Sequence, residues 1–486
     1  MKHIFTLVVA LFSVVALYAQ QQNNHEQIDA QWFKSHYKKA ESLIPMRDGT
    51  KLYTAIYTPK NKKNTHPILL NRTQNGCEPY GKKSATFWQN EIFEEYLRGE
   101  YIVVFQDVRG YGKSLGNKDA ASSVNDAFDT AEWLYRKARK NNGKIGVWGF
   151  GEDAKYAIEA AMCSHQAIKA VSAQAPVECE VKVAKLSAPM LFVGGMFDEK
   201  SDKNMWNSYL AAKASNPAAD VRLVVGPWTY GAWRESDAEL IADDATPDFY
   251  RTEIEFPFFD HYLRGGESSG ASASGSLIYY GGENCWREGD GWQSEGEKRT
   301  LYLNEEGVLY KELPYQDISY SDFVSDPQNP VPATKEGAEE VTSMLLSDQS
   351  FADDRADVLT FVTPVLDSDI TAAGAITAKL YVKSSQPTID LVVNVIDVAD
   401  NSESEILLRS GIIKGQNIEP NTIIPITISM TDLAHTFMAG HRIKLQIHNF
   451  SSTNAQIGLD RRQNCVNTVT DCQVKTEHQV QNRHVE

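Results

Sequence analysis

The first half of the chain carries short, continuous apolar runs: His66-Pro-Ile-Leu-Leu-Asn71 and Tyr101-Ile-Val-Val-Phe-Gln106. Unbroken rather than alternating runs mark strands buried on both faces. Lys144–Phe150, Ile168–Ala173, Pro189–Gly194 and Val221–Val225 read the same way. Between these runs, Ala85–Leu97 has helical spacing. Asp126–Arg139 sets Ala127, Ala131, Leu134 and Ala138 on one helical face before Asn141-Asn142-Gly143 ends it. Strands alternating with helices predict an α/β unit with a largely parallel sheet.

The pattern changes at Gly265–Ser276, which is Gly, Ser and Ala-rich linker chemistry. Beyond it β-type segments dominate: Leu277–Tyr280, Arg299–Leu303, Val358–Val362, Ile376–Ser384, Ile389–Val398, Ile423–Ile428 and His441–His448. These predict a β-sandwich of jelly-roll type. The expected organisation is an export segment at 1–19, an α/β unit at 20–264, a linker at 265–276 and an all-β unit at 277–486.

The amino terminus changes the picture of where the chain works. Lys2 and His3 precede an apolar run from Ile4 to Leu17, then small residues to Ala19 and Gln20-Gln21-Gln22. That order is a secretory signal, and its apolar run is too short to span a bilayer. A periplasmic or extracellular protein with no membrane span is expected. With 64 acidic against 48 basic residues the net charge is −16, which repels nucleic acid and anionic lipid. Six cysteines, Cys77, Cys163, Cys179, Cys285, Cys465 and Cys472, permit disulfides in such a compartment. Cys465 and Cys472 flank a hairpin-length segment and are the suggestive pair; Cys163 reads as a buried thiol. No spacing resembles a zinc site, and His165, His435, His441 and His448 are read as structural, so neither metal nor cofactor is expected.

The chemistry concentrates at Lys144–Ala157, a strand, a sharp turn (Gly149-Phe150-Gly151) and a helix start. In G-x-S-x-G elbows this turn lifts a Ser hydroxyl above the sheet, beside backbone N–H donors for an oxyanion. Here the central residue is Gly151. Two later strands end where triad partners sit, one at Asp198-Glu199 and one at Gly226-Pro-Trp-Thr-Tyr230.

These residues carry a family resemblance. Pro45–Leu52, Gln106-Asp-Val-Arg-Gly-Tyr-Gly-Lys-Ser114, Asp129–Leu134 with Gly143–Gly149, Leu223–Trp228, Phe258–Gly265 and Ala439-Gly-His-Arg-Ile-Lys-Leu445 appear in that family's order. The chain resembles the X-prolyl dipeptidyl-peptidase and cocaine-esterase-like (CocE/NonD) hydrolases over nearly all its length. The resemblance implies an α/β-hydrolase domain with a reduced cap, followed by a jelly roll. It also sets Gly151 at the nucleophile position, Tyr230 at the His position and Asp198 at the retained acid position. The oxyanion Tyr falls on Asn75, or on Tyr80 if a short insertion intervenes, with Glu152 directly after the nucleophile position.

Glycine has no group to attack a carbonyl, and a phenol of ordinary pKa about 10 is a poor base near neutral pH. Loss of nucleophile or base costs on the order of a million-fold. The sequence therefore reads as an inactive homologue acting in binding or as an accessory protein, on a small-molecule, peptide or glycan ligand. The alternative is an active hydrolase of ester or amide (acyl or dipeptidyl) substrates, which needs another nucleophile such as Ser172, Ser187 or Ser201. Glu152, Asp153, Asp198 and Glu199 either converge on a cation- or amine-binding cleft or are solvated and capping. Trp228, Tyr230 and Trp233 either fill the vacated space or line a cleft; Trp286 and Trp292 either pack between domains or stack on ligand.

Overall fold

A computed structural model describes residues 27–81, 86–118, 123–177, 185–234, 242–266, 275–292, 297–314, 318–325, 329–335, 344–399, 405–449 and 470–477. The segment read as an export signal, Cys179, Cys465 and the side chain of Cys472 lie outside the described residues, and the expected bridge with them. Cys77, Cys163 and Cys285 are free thiols.

The first unit is built on one ten-stranded sheet: β1 (Tyr37–Pro45), β2 (Lys51–Pro59), β3 (His66–Thr73), β4 (Ile102–Asp107), β5 (Asn141–Phe150), β6 (Ile168–Gln174), β7 (Met190–Gly195), β8 (Val221–Gly226), β9 (Ser276–Tyr280) and β10 (Cys285–Gly289). Their order is β1-β2-β4-β3-β5-β6-β7-β8-β9-β10. From β4 to β9 neighbouring strands are parallel, and antiparallel pairs close both edges. Every residue of β3, β7 and β8 is buried, as unbroken apolar runs require. Burying each Leu, Ile or Val of such strands contributes about 1.5–3 kcal/mol.

Helices α1 (Ser123–Lys137), α2 (Ala154–Met162) and α3 (Asp202–Ser215) cover one face through Ala127, Leu134, Ile158 and Met205. Helix α4 (Phe256–Arg264) covers the other through Phe258, Phe259 and Leu263. Its approach to β5 is so close that a Cβ on Gly146 would lie 2.7 Å from the Phe259 ring. β6 ends at Gln174 and β7 begins at Met190, so the connection that holds a cap in larger hydrolases is short.

Ala85–Leu97 is not one helix. It forms two single turns, Phe87–Gln89 and Glu91–Phe93, before a short helix at Glu94–Arg98. Asn90 is extended (φ −83°, ψ 116°) and its side chain accepts from Ile92 N, an Asn cap that competes with helix continuation. The segment Leu277–Tyr280, assigned by sequence to the second unit, belongs to the first sheet. β9 pairs in parallel with β8, and β10 folds back on β9. Its apolar run satisfies either a sandwich strand or a sheet-completing strand, so periodicity alone does not place it.

The second unit has two antiparallel four-stranded sheets. One orders β11 (Ile318–Ser325), β18 (Thr470–Glu477), β13 (Ile370–Ser384) and β16 (Ile424–Phe437); the other orders β12 (Val358–Val362), β17 (Arg442–His448), β14 (Thr388–Val398) and β15 (Glu405–Asn417). Arg299–Leu303 shrinks to a two-residue strand at Tyr302–Leu303, paired with Leu309–Tyr310. The units share a core: Ile68 and Phe192 of the first sheet belong to the same buried cluster as Leu391 and Ile447 of the sandwich. Trp292 packs at 5.0 Å, tilted by 40°, against Trp206 of α3 and donates to Asp432 Oδ1 at 2.8 Å. Fully buried Arg409 of β15 reaches Met196 Sδ at 2.9 Å.

Candidate active site

β5 runs through the turn Gly149-Phe150-Gly151 into a single 3-10 turn and then α2. At the apex Gly151 has φ +61°, the left-handed conformation a strand-to-helix elbow imposes on the residue there. Glycine adopts it at no steric cost. A Cβ placed on Gly151 would lie 2.4 Å from Tyr230 Oη. The Tyr230 hydroxyl thus occupies the space a side chain at position 151 would need.

Tyr230 is half-buried and held by the Phe150 ring at 5.0 Å, with Lys200 Nζ 4.1 Å from its own ring centroid. Burial, then the negative field of Glu152, Asp198 and Asp153, pushes its phenol well above the usual value. A phenol that keeps its proton near neutral pH donates hydrogen bonds and does not act as a general base. Four sequence-predicted positions, Gly151, Glu152, Asp198 and Tyr230, are therefore brought to one corner of the sheet.

Asp198 reaches Tyr230 through its field, while its hydrogen bonds go elsewhere. Its carboxylate, 1% exposed, accepts from Lys200 N at 2.9 Å, Ser201 N at 3.0 Å and the Ser201 hydroxyl, fixing the entry into α3. Burial raises its pKa, opposed chiefly by the Ser201 hydroxyl. The other carboxylates do not form a cleft. Buried Asp153 accepts from Gln74 N at 3.1 Å, so it ties the elbow to the loop after β3, and burial pushes its carboxyl up to about 6. Glu199 accepts from Met344 N at 2.8 Å, a contact across the units. Trp228 is a core residue: it is 2% exposed, donates to Ala245 O at 2.6 Å and packs on Trp233, Tyr250 and Trp286.

Of the two oxyanion alternatives, Asn75 is exposed on the loop that Asp153 holds, its backbone N–H donating to Thr73 Oγ1 at 2.9 Å. The Tyr80 hydroxyl donates to Asp107 Oδ2 at 3.0 Å. The alternative serines are similarly committed. Ser172 is fully buried, Ser201 donates to Asp198, and Ser187 donates to Ala161 O at 2.6 Å. Trp286 packs among Trp228, Phe249 and Tyr279. His165 pairs with Glu132 at 3.0 Å, and His435 and His441 share Asp397 at 2.9 Å each. No group of three His, Cys, Asp or Glu side chains suited to a metal ion occurs among the described residues.

The sequence reading passed over a buried polar chain beside the elbow. Arg234 Nη1 donates to Gln174 Oε1 at 2.6 Å, and Gln174 Nε2 in turn donates to Glu255, which is 3% exposed. The available signal was Arg234 directly following the aromatic run that ends at Trp233.

The family model described as X-Pro dipeptidyl-peptidase (S15 family) matches residues 48–182, and that described as X-Pro dipeptidyl-peptidase C-terminal non-catalytic domain matches 257–484. The chain belongs to the X-prolyl dipeptidyl-peptidase and cocaine-esterase-like family. This is a family of serine hydrolases; the first match covers β2 to β6 with the elbow, and the second covers α4, β9, β10 and the sandwich. Among its members, the cocaine esterase of Rhodococcus sp. (strain MB1 Bresler) is 23% identical over 538 residues, covering 85% of this chain and 90% of that protein. An aminopeptidase from a marine sediment Thaumarchaeota archaeon superposes with a TM-score of 0.79 at 23% identity, covering 94% of this chain and 97% of the other. An α-amino acid ester hydrolase gives a TM-score of 0.78 at 23% identity with the same coverage. These likenesses establish the shared α/β-hydrolase plus β-sandwich fold.

Proposed function

We propose that this chain is an exported, catalytically silent member of the family that acts by binding a small-molecule, peptide or glycan ligand. The observation that carries the reading is the fit at the elbow: position 151 has no nucleophile, and Tyr230 Oη lies 2.4 Å from where its Cβ would stand. The proton-retaining phenol of Tyr230 and the commitment of Asp198 to the start of α3 support it. With nucleophile and base both replaced, only binding and oxyanion contacts remain, worth roughly a thousand-fold over water. Export rests on the Lys2-to-Ala19 segment.

The test is turnover of a panel of chromogenic acyl esters and Xaa-Pro amides by the purified mature chain, with Asp198→Asn alongside. The expected result is hydrolysis no faster than that residual level and unchanged in the variant. Turnover well above it that disappears with Asp198→Asn would overturn the reading in favour of an active hydrolase.

A further inference from the structure

Beside the elbow lies a cleft of about 370 Å³ between the 86–92 segment and the loop that follows β8. Gln89, Trp233, Arg234 and Arg251 line it together with two carboxylates, Asp248, which pairs with Arg251, and Glu91, which is exposed at the rim. Phe150 joins cleft and elbow, because its ring packs on Tyr230 at 5.0 Å and on Trp233 at 6.0 Å.

The two arginines are differently engaged. Arg251 is neutralised: it pairs with Asp248 at 3.0 Å and Glu94 at 3.7 Å and donates to Glu91 O at 3.0 Å. Arg234 lies over the rings of Trp148 (4.7 Å) and Phe150 (5.4 Å) and spends one N–H on Gln174. Among the described residues no carboxylate stands within ion-pair distance of it. Its neighbour through Gln174, Glu255, is buried, and burial raises that carboxyl's pKa while the Arg234 charge lowers it, so Glu255 meets Arg234 through Gln174 and not by direct contact. A guanidinium clamped on aromatic faces has lost rotamer freedom in advance and keeps most of its five donors, a fork that matches a carboxylate.

Resting on the binding reading above, we propose that this cleft is a carboxylate-binding site, with Arg234 holding the carboxylate and the aromatic wall holding a flat apolar body. A single negative charge is favoured over phosphate because the chain's net charge of −16 penalises each further charge on the ligand.

Phenylacetate is the probe, titrated into the full mature chain and followed by calorimetry and tryptophan fluorescence, with methyl phenylacetate and inorganic phosphate as comparators. Saturable phenylacetate binding is expected, weakened at least tenfold by Arg234→Gln and less by Arg234→Lys, which keeps charge but not the fork. Gln89→Glu, at an exposed rim position, is expected to weaken it comparably without touching the buried chain, so a folding defect in the arginine variants does not decide the matter. Binding that survives both Arg234→Gln and Gln89→Glu, equal binding of phosphate, equal binding of the methyl ester, or no saturation would each overturn the assignment. Ester turnover is read separately, so an active chain would remove the silent-enzyme reading while leaving the Arg234 result standing on its own.

Discussion

At residue 151 the turn presents no side chain, and packing from residue 230 fills the place of one. The absent side chain is matched by a present one, with the Tyr230 hydroxyl seated 2.4 Å from the Cβ position. Gly151→Ala therefore meets two penalties, a φ of +61° that L-residues resist and a collision with Oη. Together they are expected to cost about 1–3 kcal/mol of unfolding free energy. In a Tyr230→Phe background the collision is gone, since Cζ lies 3.7 Å away, and only the backbone part of about 1 kcal/mol remains. Denaturant unfolding of the four proteins in that cycle measures the difference, and equal costs in both backgrounds would refute the fit. That Gly151 stands at a turn and that Asp198 and Tyr230 follow strand ends was legible, because strand ends and turns leave strong local marks. Their mutual fit was not, since residues 151 and 230 meet only in three dimensions. The role of Asp153 was hidden for the same reason: its partner, Gln74, belongs to a different loop.

Among elements, strands of the central sheet were legible because burial on both faces writes an unmistakable apolar run. The failures occurred where local signals were satisfied by more than one arrangement. Ala85–Leu97 has helical spacing, yet the Asn90 side chain bonds Ile92 N and interrupts it. Leu277–Tyr280 reads as a strand without saying which sheet it joins. Its true place has a consequence for dissection: the Gly/Ser-rich segment is not a safe cut. A chain of residues 27–266 lacks β9 and β10 and bares the unpaired edge of β8. Exposed edges with apolar faces aggregate. Expressed side by side, 27–266 is expected to be insoluble or aggregated, and 27–292, which retains both strands, is expected to give a larger soluble fraction by gel filtration. Equal solubility would contradict the assignment of β9 and β10 as structural parts of the first unit.

Over the whole molecule, the two units are joined by a buried charge cluster as well as apolar surface. Asp202 at the start of α3 is 6% exposed, and burial pushes its carboxyl from 3.8 up to about 7 despite the attraction of Arg409. The folded value exceeds the unfolded one, so protonated Asp202 contributes stability that is complete below about pH 3.8 and is lost as the pH rises through about 7. Across that window the loss amounts to as much as about 4 kcal/mol. Asp202→Asn removes this titration, so urea midpoints of the two proteins are expected to diverge in the variant's favour between pH 4 and pH 8. Parallel curves would exclude Asp202 as the source. That coupling was invisible in sequence, because it pairs α3 with β15 across the domain junction. The elbow, finally, constrains which substitutions can install a serine–histidine pair in this chain. A serine placed at 151 alone meets the Tyr230 hydroxyl, and a histidine placed at 230 alone finds no hydroxyl at 151 to activate. A serine–histidine pair at this corner therefore takes two substitutions, neither of which completes it alone.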